Sequence, residues 1–375
     1  VILYQDQVNE LAVSVAGFRY KDGDELRRAF SRKNNEGLLK AYWGKFRKGA
    51  AEKGVTKEVA QKIFSKFSGQ YMFPESHAYA FGITAYQMSW LKYHYPLEFY
   101  VAIFNQQPMG FYNLETLKQD ANHHGIKVIH PDINRSISKC MILNDNSFIL
   151  GFLNVRGLGN ANVDSIIKAR SSGLFHSLSD AMRRTGLQRE PIESLVTAGA
   201  FDSIISDRRS ALWETGLLYQ SGVAQKALPF STDQDMAQLP LMTDWETMLN
   251  EYRTMGVHPD SHFMAYMRKN LADDTRSSRD LTHLKDGVKV TVAGLVIRRQ
   301  HPGASAVFIT LEDEFGHIPL ILWPHVFNKF RLVIREPVLQ AMGFISRRGG
   351  GFNVIVHHVK GVFVDGKLPP SKNWC

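Results

Sequence analysis

Between residues 287 and 363 apolar and polar positions alternate with a period of two. "VKVTVAGLVI" sets Val288, Val290 and Val292 against Lys289 and Thr291, and "AVFITLED" sets Val307, Ile309 and Leu311 against Phe308 and Thr310. Such alternation predicts half-buried strands. "HIPLILW", "PVLQAMGFI" and "GFNVIVHHV" continue the series, and "HVFNKFRLV" reads as a helix between the third and fourth strands. Five strands with a helix in that slot follow the order of an OB-fold, favoured here over an unrelated small barrel or sandwich. Upstream the period is helical. "EVAQKIFSKF" places Val59, Ile63 and Phe67 on one face, and "ITAYQMSWLKYHYPLEFYVAIF" reads as two helices broken near Pro96. Residues 1–105 thus form one all-helical unit by pattern. "LKQDANHHGIKVIHPDINRS" then reads helix, Gly125 stop, short strand and Pro131 turn, and "SFILGFLNV" is strand-like. Two helix–turn–helix pieces follow over 154–204. A polar linker, "SGVAQKALPFSTDQDMAQLPLMTD", leads to a short helix in "WETMLNEYRTMG".

"NVRGLGNANVDSIIKAR" (154–170) admits two chemistries. A dinucleotide loop needs a third glycine, but Asn162 stands there, and no acidic strand end follows about twenty residues on. A helix–hairpin–helix fits better. Gly157 and Gly159, flanking Leu158, permit a tight turn, and a helix from about Ala161, just past Asn160, points its N-terminus at the hairpin. Such contacts grip a phosphate without reading bases. A second copy follows in "SLSDAMRRTGLQREPIESLVTAGAF", with Gly186 in the turn and Arg183, Arg184 and Arg189 beside it. The competing reading is ordinary helix caps with solvated arginines.

Charge sharpens this picture. The 375 residues carry a formal net charge of +9, which favours polyanionic partners. Twelve Lys/Arg stand against three acids between Leu26 and Lys66. "LRRAFSRK" is either a phosphate clamp or a solvated helix face. Phe308 shares a face with Thr310, and Lys289, Arg298, Arg299, Arg347 and Arg348 surround the barrel in sequence, the mixture that single strands need, against core filling for any one Phe. Hydrophobic residues make up 44%, enough for two or three cores, and no run reaches membrane-span length. The two cysteines, Cys140 and Cys375, suit a reducing cytoplasm rather than a disulfide framework. The chain opens without Met inside a helical pattern, as a fragment does. No carboxylate pair is spaced for two metals, Asp132 standing alone and "LADDT" and "LEDE" reading as turn and strand-end residues. His77, a lone histidine, reads as structural rather than catalytic by pattern, and His123/His124 and His357/His358 lack partners at zinc spacing.

Several stretches in order resemble one family. They are "YQDQVNELAVSVAGF", "ELRRAFSRK", "FSGQYMFPESHAYAFGITAYQMSWLKYHYPLEFYVAIFNQQPMGFY", "DANHHGIKVIHPDINRS", "VRGLGNANVDSIIKAR" and "VTAGAFDS". Together they are similar to the C-terminal part of bacterial family C DNA polymerases, the family of the DNA polymerase III alpha subunit. "FPESHA" and "NQQPMGFY" resemble its error-prone, damage-inducible branch rather than the replicative one. The resemblance implies a multidomain, α-rich chain: fingers over 1–105, tandem helix–hairpin–helix over 106–205, and a linker with a helical segment over 206–286. An OB-fold β-barrel over 287–363 and a tail over 364–375 complete it. It implies that Arg27, Arg28, Lys33 and His77 face the incoming deoxynucleotide. The hairpins and barrel would hold template–primer duplex and single-stranded template. The family's catalytic carboxylates and their Mg²⁺ belong to a palm domain upstream, so this stretch is expected to carry no catalytic residue, bind no metal, and be inactive alone. Translesion synthesis in DNA repair is the implied role; a replicative alpha subunit or a non-catalytic DNA-binding scaffold is the alternative. "QKALPF" and "QLPLM" resemble sliding-clamp peptides, making the clamp or other mutasome proteins candidate partners, against the simpler reading of a linker with scattered apolar residues.

Overall fold

The computed structural model describes residues 4–30, 36–67, 74–110, 112–220, 239–301, 306–364, 368–369 and 371–374. Lys33, "QKALPF" and Gln238 of "QLPLM" lie outside them. The chain divides into two compact units, 1–94 and 95–375.

The first unit is helical: α1 (Asp6–Ala16), α2 (Tyr20–Phe30), α3 (Glu36–Glu52), α4 (Lys57–Lys66) and α5 (Glu75–His94). Val8, Ala12, Leu26, Phe46 and Ala50 are fully buried where α1, α2 and α3 meet. Gly49 makes the crossing possible, because a Cβ there would lie 1.9 Å from the Ala16 carbonyl oxygen. Phe30, Trp43, Phe46, Phe64 and Phe67 form an aromatic cluster with ring centroids 5.2–6.5 Å apart. Those rings set the inward face of α4, which runs through Ala60, Phe64 and Phe67 and leaves Val59 exposed. Of the expected row of Val59, Ile63 and Phe67, the last two face the core and Val59 does not; Ala60 and Phe64 widen that face toward the other rings. The Glu75 N–H donates to the Asp6 carboxylate, tying α5 to α1. Apolar residues lie all round α5, and none is buried.

The second unit begins at α6 (Pro96–Asn105), with Pro96 at its first position as the sequence predicts. Leu97, Tyr100 and Phe104 pack into the second unit's core, so the compact units part at His94. Next come α7 (Leu114–His123) and a small sheet of β1 (Lys127–Ile129), β2 (Met141–Asn144) and β3 (Ser147–Ile149), in the order β1-β3-β2. Then follow α8 (Gly159–Arg170), α9 (Leu178–Thr185), α10 (Arg189–Thr197) and α11 (Arg208–Gln220). The sequence reading stopped the helices at 204, yet α11 joins their core through Ala211 and Leu218.

The segment expected to be a linker with one short helix is more built than that. It holds α12 (Asp244–Thr254), α13 (Phe263–Met267), β4 (Thr275–Arg276) and α14 (Ser278–Leu281). Met248, Tyr252, Phe263 and Met264 cover Ala293, Leu295, Ile297 and Val338 of the barrel. The barrel comprises β5 (Lys289–Gln300), β6 (Val307–Asp313), β7 (Gly316–Leu322), α15 (Pro324–Phe330), β8 (Val338–Arg348) and β9 (Gly351–Gly361). β5 pairs with both β6 and β8, which closes the sheet, and α15 sits between β7 and β8 as the OB order requires. A short β10 (Lys372–Trp374) pairs with β5 at Arg298–Gln300. Asp313 and Glu312 of "LEDE" are buried at the strand end, where Asp313 accepts the N–H groups of Phe315 and Gly316 in the turn.

Candidate nucleic-acid interface

The first hairpin is built on buried anchors. Val155 and Leu158 enter the core, while Gly157 at φ 82° and Gly159 at φ 56° hold the left-handed turn. Leu158 is thus the hairpin's internal anchor, and its side chain is not a DNA contact. What precedes the turn is a single 3₁₀ turn, Phe152–Asn154, and the helix starts at Gly159, two residues before the expected Ala161. No side chain caps α8, and Asn160 is exposed in its first turn. Backbone N–H groups there are oriented to take an anion.

The second copy has the expected turn: Gly186, at φ 64°, caps α9 and donates to the Met182 carbonyl. Its three arginines diverge. Arg183 is exposed and meets Asp180 at 3.2 Å, and Arg189 is half-exposed and meets Glu193 at 2.7 Å. Arg184 turns inward. Its guanidinium donates to the carbonyls of Ala169, Gly173 and Leu174, to Ser172 Oγ and to Asp180, and lies 4.5 Å from the Phe175 ring. Both terminal nitrogens of the guanidinium thus spend their donors inside the protein. Arg184 is a clip holding the loop after α8, not a phosphate ligand.

The barrel corrects one cation in the same way. Arg347 donates to the carbonyls of Leu281, Leu284 and Thr282, so it pins the β8–β9 hairpin to the α14 segment. Lys289 and Arg348 stay exposed. The register reveals a surface that no single strand could disclose. Gln300 pairs with Phe308, Phe308 with Ile321, Ile321 with Ile355, Ile355 with Phe344, and Phe344 with Lys289. One outward row therefore runs around the barrel. Phe308 and Phe344 are 39% and 45% exposed, against 0–1% for the inward Ile309, Leu311 and Ile345. The His357 ring lies 5.4 Å from Phe344. Two exposed aromatics flanking two isoleucines, with a lysine at one end, can take stacked bases and a backbone. The strand "PVLQAMGFI" does not by itself single out Phe344, and only pairing puts it in line with Phe308.

In the first unit, Arg27 and Arg28 sit on α2 and His77 at the start of α5. Arg27 bonds Asp24 and Gln5, and the more exposed Arg28 meets Asp24 at 2.9 Å. Hydrogen bonding and charge from Arg27, helped by Arg28 and opposed by some desolvation, hold the Asp24 carboxyl below its usual range. His77 packs on the edge of Phe81 at 4.3 Å.

Away from these surfaces lies a buried carboxylate. Glu251 on α12 accepts from His130 at 2.7 Å, His258 at 2.6 Å and Arg208. Burial opposes its charge, but the hydrogen bonds of His130 and His258 and the charges of His130 and Arg208 outweigh it and hold the carboxyl near 2. Burial also lowers His130, and its bond to Glu251 more than reverses that, leaving it raised. Glu251 is structural: it fastens α12 to the β1 turn and to α11. Among the described residues no helix is long and apolar enough to cross a membrane.

Comparison with known proteins follows the same divisions. Residues 1–54 match the finger domain of the bacterial DNA polymerase III alpha subunit, 125–211 a helix-hairpin-helix motif, and 290–360 an OB-fold nucleic acid binding domain. The error-prone DNA polymerases of Anaeromyxobacter dehalogenans (strain 2CP-C) and Rhodopirellula baltica are each 35% identical to it, over 96% of this chain and 33% of theirs. That of Mesorhizobium japonicum is 33% identical over 96% of this chain and 35% of its own. The chain thus spans about a third of the length of the curated relatives it matches. Over 96% of its residues, finger match first and barrel match last, this chain is similar to the C-terminal part of error-prone DNA polymerases.

Proposed function

We propose that this chain is the part of an error-prone DNA polymerase that holds primed template and helps position the incoming deoxynucleotide during synthesis across damage in repair. The observation that carries the reading is the outward row from Phe308 to Phe344, in the same unit as a hairpin whose helix start is uncapped. The hairpin N–H groups, with Arg183, Arg189 and the turn at Gly186, take phosphates of the duplex, and the barrel row takes unpaired template bases. Arg27, Arg28, Lys33 and His77 serve the triphosphate. Phosphoryl transfer needs Mg²⁺ held by carboxylates, and those are assigned to a palm domain outside these residues. The chain by itself is then inactive in primer extension, and clamp or mutasome proteins are candidate partners of the whole enzyme.

The test is primer extension by a polymerase that contains this stretch together with its palm. Phe308→Ala combined with Phe344→Ala raises the KM for primed template with kcat retained, and Arg28→Ala raises the KM for nucleotide. An unchanged template KM in the double variant removes the barrel from the reading. Mg²⁺-dependent extension by the 375-residue chain alone contradicts the assignment of chemistry elsewhere.

A further inference from the structure

Beside the first hairpin lies an open cleft of about 660 Å³, walled by α10, α11 and the end of α12. Four arginines reach it: Arg156 from the hairpin, Arg189 from α10, Arg209 from α11 and Arg253 from α12. Two are matched, Arg189 with Glu193 and Arg209 with Glu246, each at 2.7 Å. The other two are not. Arg156 donates to the Arg253 main-chain carbonyl at 2.9 Å, and the Arg253 side chain donates to Asn250 Oδ1 at 3.0 Å. Neither has a carboxylate partner among the described residues. Both are exposed, and both line the cleft. Trp213, 44% exposed, lines the same cleft. Its acids are Glu193, already bound to Arg189, and the solvent-facing Glu190. Arg253 and Trp213 lie outside every family match, which cover 1–54, 125–211 and 290–360.

Like charges brought together without an anion repel, and a phosphodiester between two guanidinium groups reverses the sign of that interaction. An exposed indole beside them offers a face on which any base can stack. A duplex keeps its base faces inside the helical stack, whereas a single strand can present one. We propose that the cleft binds one nucleotide unit of single-stranded DNA, its phosphodiester held by Arg156 and Arg253 and its base against Trp213. This rests on the reading that the chain holds DNA, and it adds a strand path past α12 that the hairpins and barrel do not supply.

The experiment is fluorescence anisotropy of a labelled oligothymidylate with the 375-residue chain, from 50 to 200 mM KCl, with circular dichroism to establish folding. Arg253→Gln is expected to make the log–log salt slope shallower by about 0.7, the loss of one single-strand phosphate contact. Arg253→Lys keeps the slope. Trp213→Leu weakens binding by roughly ten-fold with the slope unchanged, and a blunt duplex of equal length competes poorly. If the wild-type chain binds oligothymidylate and folded Arg253→Gln and Trp213→Leu both match it, this inference is overturned and the general DNA reading stands. A change in Arg253→Gln alone, with effective competition by duplex, overturns the single-strand assignment. A wild-type chain that binds no DNA overturns both readings.

Discussion

Arg183 and Arg184 are neighbours in sequence and opposites in structure. Arg183 faces solvent with one carboxylate beside it, so Arg183→Ala should shift stability by no more than about 0.5 kcal/mol. In a DNA-binding titration it should make the salt slope shallower by about 1. Arg184→Ala should do the reverse. It strips the donors from the carbonyls of Ala169, Gly173 and Leu174 and should cost about 1–3 kcal/mol in urea unfolding, with the slope unchanged. Charge clustering finds both residues and cannot tell them apart, since which guanidinium turns inward depends on carbonyls brought near by the fold. The hairpin glycines were legible for a local reason: a left-handed turn leaves few alternatives to glycine. Gly159→Ala meets open space but keeps φ 56°, so strain alone should cost about 1–2 kcal/mol, read as a lower urea midpoint at constant m.

At the scale of elements, periodicity predicted the barrel strands and their intervening helix, and the proline break before α6. It missed what depends on partners. The face of α4 is wider than the expected row because an aromatic cluster from α2 and α3 also takes in Phe64, while Val59 stays outside. α11 reads as connection because its weakly patterned surface is completed only against α9 and α10. The barrel row is the clearest case, since its members come from five strands and align only through register. Phe308→Ala and Phe344→Ala should each weaken oligothymidylate binding by about 1–3 kcal/mol in an anisotropy titration. Ile309→Ala, on the inward face, should instead cost about 2–5 kcal/mol of stability.

At the scale of the second unit, α12 joins the hairpin core to the barrel. Its inner face covers the barrel strands, and Glu251 reaches back to His130 and Arg208. This gives a two-sided pH dependence. Glu251 is held near 2, below the ordinary 4.5, so its contribution is complete above 4.5 and is lost as pH falls toward 2. His130 is raised, so its contribution is complete below 6.5 and fades as pH rises through its folded value. His317, raised chiefly by its bond to Glu312, acts in the same sense. The melting temperature should therefore rise from pH 8 to 6 and drop below about pH 4.5. Glu251→Gln removes the charge that His130 and His258 donate to, while Arg208 keeps Asp202, and should cost about 1–3 kcal/mol while reducing both limbs.

The central claim is that this stretch holds DNA through phosphates and unpaired bases without needing the rest of the enzyme. Its most direct test is the equilibrium affinity of the 375-residue chain for a primed template with a single-stranded overhang, measured across salt concentration. Several phosphate contacts predict a log–log slope of about −3 or steeper, with tighter binding to the overhang substrate than to blunt duplex. A flat salt dependence, or no preference for the overhang, would contradict the account.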